Sequence, residues 1–548
     1  MKRPIELAGV ALLLAGLTIF VTWPQTRLFA NGVSDFGDPL MNSWTLAWVA
    51  HTLPAHPAQL FDANIFYPEK RTLAYSETLV VPALLVAPLL WLGGGPILAH
   101  NLLLLAGYVV SGLAMYVLVR SLTTHRGAAL VAAVVFALYP YRTEEYAKVQ
   151  LQLIFWTPFA LWAIHRVRAG RGPRAAIAAG VFAALQMYSC VYYGIFATLP
   201  LAIVAIATVA TAPAEDRRQV ARALLIGMIV CGALCAPLAA AYRGASRIVG
   251  ERSADDVRMW SATPRDFLRA NPDNRMYGDP RNPGKGERRL FPGWTAPALA
   301  LVAFVPPIAP LTASAVAYAA AGGISAELAL GFNGVGFPAL FDMLPPFRAL
   351  RVPARFVMVL GLSLSILAGF GVARLCRGRS SLVQAAIVVI AVAAVTAESN
   401  NRPLQLSELP RGMPQVYSWL AHEPRTVICE YPVGNLQGRA GPQDATYMYY
   451  STRHWQPMVN GYSGFAPPSY FELLDRLRFF PDDRSIAYLR ERRVELLLVH
   501  SAYYIKGNFS EDVNRLRRRS DLEWVGEFPA PNGHVTDVFR LRPAPTAG

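Results

Sequence analysis

The stretch from Ile97 to Val119, "ILAHNLLLLAGYVVSGLAMYVLV", contains no Asp, Glu, Lys or Arg. A backbone buried in lipid must satisfy its own N–H and C=O groups, so a run of this kind is a helix, and about 20 apolar residues suffice to cross a bilayer. Comparable runs lie near 6–24, 127–141, 153–167, 174–190, 192–213, 218–241, 294–312, 313–331, 356–375 and 382–397. The sequence therefore predicts an α-helical polytopic membrane protein of about eleven spans. The pairs around 190 and 312 admit other divisions. Composition agrees: 16% of the residues are charged and 54% hydrophobic, whereas soluble domains carry about a quarter charged residues.

The net charge of +15 fits a membrane protein better than a nucleic-acid partner, because the arginines gather in short loops between apolar runs. Such loops remain cytoplasmic. Lys2 and Arg3, "RSLTTHR" (120–126), "HRVRAGRGPR" (165–174), "EDRRQVAR" (215–222) and "RLCRGR" (374–379) fall on one side only if "TLVVPALLVAPLLWLGGG" (78–95) does not cross. That segment is short, holds two internal prolines and ends in glycines. It reads as a helix embedded in the outer leaflet. The alternative lets it cross and loses a later span. With 78–95 outside, the N-terminus is cytoplasmic, and loops 25–96, 142–152, 242–293 and 332–355 are extracytoplasmic. The first run, Glu6 to Trp23, has no small-residue cleavage site and reads as a retained signal anchor.

Residues 1–397 thus form the transmembrane domain, and 398–548 form an extracytoplasmic domain of different composition. In that tail, strand-like runs (426–433, 494–501, 534–542) alternate with helix-like ones (413–423, 468–480, 483–493, 510–520), with Ser510 as one helix start. This pattern predicts a small α/β fold. The five cysteines show no metal-ligand spacing. Cys429 is the only one in the tail, which excludes an internal disulfide there.

The outward loops hold the chemistry. Asp35 and Asp38 in "VSDFGDPLMNSW" stand just past the first span and are candidates for a proton-accepting carboxylate. Tyr141, Arg142, Glu144, Glu145, Lys148 and Gln150 crowd "YPYRTEEYAKVQLQ". Glu287, Arg288 and Arg289 lie in "GERRLFPG", and Arg348, Arg351 and Arg355 lie in "FRALRVPARF". Arginines of this kind can grip a phosphate. Each feature also has a plainer explanation. Asp38 can simply start a helix. Arg351 and Arg355 can anchor a helix end among headgroups. Glu144 and Glu145 can form a solvated face, and Trp44 with Trp48 can belong to an interfacial belt. His454 has no second histidine or cysteine nearby, which speaks against metal ligation.

Topology and motifs together resemble the GT-C superfamily of polytopic glycosyltransferases. The segments "GDPLMNSWTLAW", "FDANIFYP", "TLAYSE", "ERRLFPG", "LPPFRALRVPARF" and "HWQPMVNGYSGFAPPSY" are similar to a bacterial subgroup of these proteins. The resemblance implies a GT-C-like bundle in a bacterial inner membrane. It also implies a polyprenyl-phosphate-linked sugar donor, and a glycan, lipid or protein acceptor. Asp38 or Asp35 would be the catalytic acid-base residue. The family's usual early acid pattern is Asp-Glu, and "DFGD" departs from it, so the choice between the two stays open. Arg351, Arg355, Arg142, Lys148, Gln150, Glu287, Arg288, Tyr75, Glu77 and His454 would contact lipid phosphate or substrate. Some members hold a divalent cation, Mg or Mn. Asp38 and Glu144 are the first candidates here, with Glu77 and Glu287 as further acids. Two other classes compete: a flippase for lipid-linked sugars, and a non-catalytic envelope-assembly protein. A flippase expects ionisable residues inside its spans, and His100 is the nearest to one here.

Overall fold

The computed structural model describes residues 2–167, 172–305, 312–410, 412–435, 438–504 and 508–542. Six of its helices are long and apolar enough to cross a membrane: Pro4–Val21, Pro96–Thr123, Val191–Ala210, Arg217–Val249, Pro353–Cys376 and Ser381–Glu398. The other expected spans are the shorter helices Arg126–Ala137, Trp156–Arg166, Thr295–Val302 and Ala313–Ala329, and the equally long but less apolar Gly172–Ser189. At 1.5 Å per residue a 12-residue helix covers about 18 Å, well under the ~30 Å hydrocarbon core. Arg126–Ala137 shows why a short helix is nonetheless so apolar: nearly all of it is buried in the bundle, as a core helix rather than a lipid-facing one. The middle of the basic loop 165–174 and the end of the predicted span 294–312 lie outside the described residues. The segment read as membrane-embedded is the 12-residue helix Val80–Trp91, too short to cross alone. The chain is a multi-pass, mainly helical membrane protein with a C-terminal sheet region.

Contacts divide the chain into two compact units. The first comprises Met1–Arg27, Asn101–Pro237 and Glu251–Gln405. Its centre is the Val357–Cys376 helix, packed against Thr295–Val302, Ala313–Ala329 and Arg126–Ala137. Small residues permit the close approach. A Cβ on Gly371 would run into the carbonyl of Leu299, and one on Gly180 into that of Gly227. The Lys2–Val21 helix is tied to this unit by Glu6. Its carboxylate accepts from Tyr116 (2.6 Å) and pairs with Arg126 (2.9 Å) and Arg120 (3.5 Å). Glu6 is thus a further ionisable residue inside a predicted span, beside His100, and it serves as a clamp between helices.

The second unit comprises Leu28–His100, Leu238–Gly250 and Leu406–Gly548. Two short strands, β1 (Gly32–Val33) and β2 (Ser407–Glu408), pair antiparallel. A four-stranded sheet has the order β3-β4-β6-β5, built from β3 (Ile428–Tyr431), β4 (Leu496–His500), β5 (Leu522–Pro529) and β6 (Val535–Leu541). β3 and β4 run parallel, and the other pairs are antiparallel. β4 is wholly buried, which explains its continuous apolar run. The expected strands and helices of the tail are present, and two elements were not expected. β5 is an edge strand with a bulge at Trp524/Gly526 and no fully buried face, so it lacks the alternation that marks a strand. Helix Pro442–Ser451 starts with a proline in its first turn. The helix expected to begin at Ser510 begins at Phe509, because Asn508 is its cap and accepts from the Glu511 N–H.

Candidate functional site

In the second unit the functional geometry starts at Asp38. The helix Asp38–Ala55 opens with Asp38 and Pro39, and Gly37 precedes it as a cap without a side-chain bond. Proline at this point costs no hydrogen bond, and an acid in the first turn suits the helix dipole. Asp35 builds the approach: its Oδ1 accepts from the Gly37 N–H at 2.8 Å, and Ser34 Oγ donates to its Oδ2 at 3.3 Å. Asp35 is exposed and Asp38 half-buried. The hydroxyl of Tyr462, 424 residues away in sequence, donates to Asp38 Oδ1 at 3.2 Å. Oδ2 of Asp38 takes no bond from the described residues.

The quoted motifs of this unit converge on the same neighbourhood. Gly461 lies against the Phe66 ring and Gly464 against the Tyr75 carbonyl and Ser76. Phe465 N–H donates to Tyr75 O (3.0 Å), and Tyr242 OH to Ser76 O (2.7 Å). Tyr75 is buried and its hydroxyl donates to Lys70 O, so it shapes the loop. Burial, then the charges of Glu69 and Asp62, holds that phenol above its usual pKa. Glu77 is also buried. His454 is not brought to Asp38. Its neighbour Trp455 packs on Trp48 and His51, and Trp48 is about 15 Å along the helix from Asp38 at 1.5 Å per residue. Burial lowers the His454 imidazole to about 3, so it is neutral, and its Nδ1 accepts from Gln456 N–H. Trp44 and Trp48 are buried and bonded to Asn64 and to the Leu60 carbonyl. They are core residues, not an interfacial belt.

The first unit gathers a separate set. Arg355 grips Glu287 through two bonds, Nη2–Oε1 at 2.6 Å and Nε–Oε2 at 3.0 Å, and reaches Glu145 at 3.5 Å. Lys148 bridges the same two carboxylates, at 2.7 Å to Glu287 and 2.8 Å to Glu145. Tyr141 OH donates to the Glu287 carbonyl. In this pair burial favours the neutral acid, and Arg355 and Lys148 outweigh it at Glu287, which they hold well below the usual carboxylate range. Glu145 is pushed up to about 7 by burial and by the neighbouring Glu287. Beside them, Arg289 pairs with Glu144 (3.0 Å), whose pKa burial raises to about 7. Arg288 pairs with Asp266 (2.8 Å).

Arg142 is fully buried. It donates to the carbonyls of Gln152 and Gly107 and to Ser111 Oγ, and it lies over the Tyr108 ring. It fastens the 142–152 loop to the Pro96–Thr123 helix. Gln150 is buried nearby in sequence. Arg351 goes elsewhere than Arg355: its guanidinium stacks over Trp260 (5.3 Å), its N–H donates to Tyr192 OH, and Lys285 approaches the same indole at 5.9 Å. Among the described residues Arg351 has no carboxylate partner. Asp266, Trp260, Lys285 and Tyr462 were not singled out from the sequence. Tyr462 lay inside the quoted segment "HWQPMVNGYSGFAPPSY" without being named, and Asp266 carried a signal as the fourth residue of the helix-start box "TPRD".

Among the described residues, no three His, Cys, Asp or Glu side chains gather as a metal would require. Glu144, Glu145 and Glu287 each face a guanidinium or an ammonium, a donor set already neutralised and a poor fit to a divalent cation.

No protein-family model matches the chain, and no curated protein does. Among solved structures, the chain is similar to the crystal structure of ArnT from Cupriavidus metallidurans in the apo state. That similarity covers 98% of each chain at 12% identity, with a TM-score of 0.49.

Proposed function

We propose that this chain is a membrane glycosyltransferase of the GT-C type. It moves a sugar from a polyprenyl-phosphate-linked donor to an acceptor hydroxyl on the extracytoplasmic face, with inversion. The observation that carries this reading is the Asp38 carboxylate: half-buried at a helix start and held through one oxygen by Tyr462, while the other oxygen takes no bond from the described residues. A general base needs that combination of fixed direction and accessible lone pair. Asp38 is accordingly the base, and Asp35, committed to the Gly37 N–H, shapes the turn. The motifs that resemble the family supply the residues around it.

The arginine roles divide. Arg355 already spends two bonds on Glu287, so it fixes the polar loops. Arg351, without a carboxylate partner and beside Lys285, is the candidate for the lipid phosphate. The basic loops favour a cytoplasmic N-terminus and an extracytoplasmic tail, in a bacterial inner membrane.

The test uses the purified full-length protein with a panel of polyprenyl-phosphate-linked hexoses and pentoses, reading release of free polyprenyl phosphate. Release from at least one member, dependent on the protein, supports the reading. Transbilayer movement of intact donor in proteoliposomes, with no release, would replace it by the flippase reading.

A further inference from the structure

We propose that Tyr462 is the positioning residue of the Asp38 carboxylate, so that the C-terminal segment supplies part of the acid–base apparatus. The inference rests on the glycosyl-transfer reading and adds to it a role for the tail.

Three observations meet at one point. Tyr462 OH donates to Asp38 Oδ1 at 3.2 Å. The same hydroxyl lies 3.1 Å from where a Cβ on Gly37 would stand, and Asp35 Oδ1 lies 3.1 Å from it on another side. Glycine at 37 therefore leaves room for the tyrosine hydroxyl beside the helix start. Tyr462 is itself anchored: its backbone N–H meets the Met448 sulfur at 3.0 Å, and it packs against the buried cluster that includes Leu40 and Ala445. That anchoring restricts where its hydroxyl can be. The consequence is chemical. A half-buried carboxylate at a helix start can still rotate, and a donor on Oδ1 restricts that rotation and aims Oδ2.

In the reaction, the acceptor O–H proton passes to Asp38 Oδ2 as the acceptor oxygen bonds to the anomeric carbon. The bond from that carbon to the donor phosphate oxygen breaks, and its electron pair leaves on the polyprenyl phosphate. Tyr462 keeps its own proton throughout. It contributes direction, which is worth rate only when the base is present.

That condition supplies the test. In full-length protein, Tyr462→Phe removes one oxygen and keeps the packed ring. With a donor that the parent consumes, kcat should fall about tenfold while the KM for donor is unchanged. In the Asp38→Asn background, where residual turnover is already low, Tyr462→Phe should cost nothing more. A tyrosine that only supports the fold would lower both backgrounds by the same factor, and that result overturns the proposal. A second readout needs no turnover: carbodiimide and glycinamide labelling, followed by peptide mass spectrometry. Removing the hydroxyl uncovers Oδ1 to the reagent, so labelling of Asp38 should rise several-fold in Tyr462→Phe, with Asp62 as the unaffected internal reference. Unchanged Asp38 labelling overturns the contact. If Asp38→Asn is inactive and Tyr462→Phe works like the parent, the positioning role alone fails. If Asp38→Asn works like the parent, the base assignment fails and takes this proposal with it.

Discussion

At the scale of single residues, the first unit separates charges that hold the fold from charges left for a ligand. Arg355 belongs to the first kind. Removing one partner of a buried, doubly bonded pair leaves an uncompensated charge, so Arg355→Ala should destabilise the detergent-purified protein by roughly 3–5 kcal/mol. Differential scanning measurements check this. Arg351 is proposed to belong to the second kind. Arg351→Lys should leave the unfolding temperature near that of the parent and weaken binding of undecaprenyl phosphate by roughly 1–3 kcal/mol, because lysine cannot reproduce the paired bonds of a guanidinium. Equal binding would return Arg351 to the role of a headgroup anchor. Glu144 gives a pH signature. Its pKa in the folded protein is raised to about 7 by burial, against about 4.3 in an unfolded chain. The native state therefore holds the extra proton between those values. The stability this contributes is full below about 4.3 and is lost as pH rises through about 7. Thermal stability measured from pH 5 to pH 8 should fall less steeply in Glu144→Gln than in the parent. These pairings were hard to read in advance. The sequence displayed Glu144, Glu145, Glu287 and Arg355 as rich loops, but which cation meets which carboxylate depends on contacts 68 to 210 residues apart.

At the scale of elements, apolar runs were legible because lipid leaves the backbone few options, yet apolarity alone did not set helix length. The run 127–141 is a 12-residue core helix, and a core position and a lipid position favour the same residues. The 78–95 segment shows the reverse. Its prolines and glycines shortened it visibly, and the structure has a 12-residue helix there. Orientation follows from the basic loops. Single cysteines at Gly95, where a side chain meets open space, and at exposed Ser121 bracket the Pro96–Thr123 helix. Gly95→Cys should label with a membrane-impermeant maleimide from outside, and Ser121→Cys only after permeabilisation. The opposite pattern would invert the proposed topology. In the tail, β4 announced itself by five consecutive buried residues, whereas β5, an exposed edge, had no periodicity to reveal it.

At the scale of the whole molecule, composition and packing partition the chain differently. Composition breaks near residue 398, while the second contact-defined unit joins the early loop, the end of a long helix with the residue after it (238–250) and the tail. Composition can mark where a chain turns polar, but it carries no record of which distant segments pack together. Asp38 was visible from its place after the first span. The segment holding Tyr462 was visible as a motif, but its contact with Asp38 was not, since the partner lies 424 residues away. The most direct measurement of the central claim is sugar transfer by Asp38→Asn. The amide keeps the shape of the side chain and cannot take a proton. With a donor the parent consumes, and with expression and unfolding temperature unchanged, turnover should fall by about 10²–10⁴. Turnover equal to the parent would contradict the account.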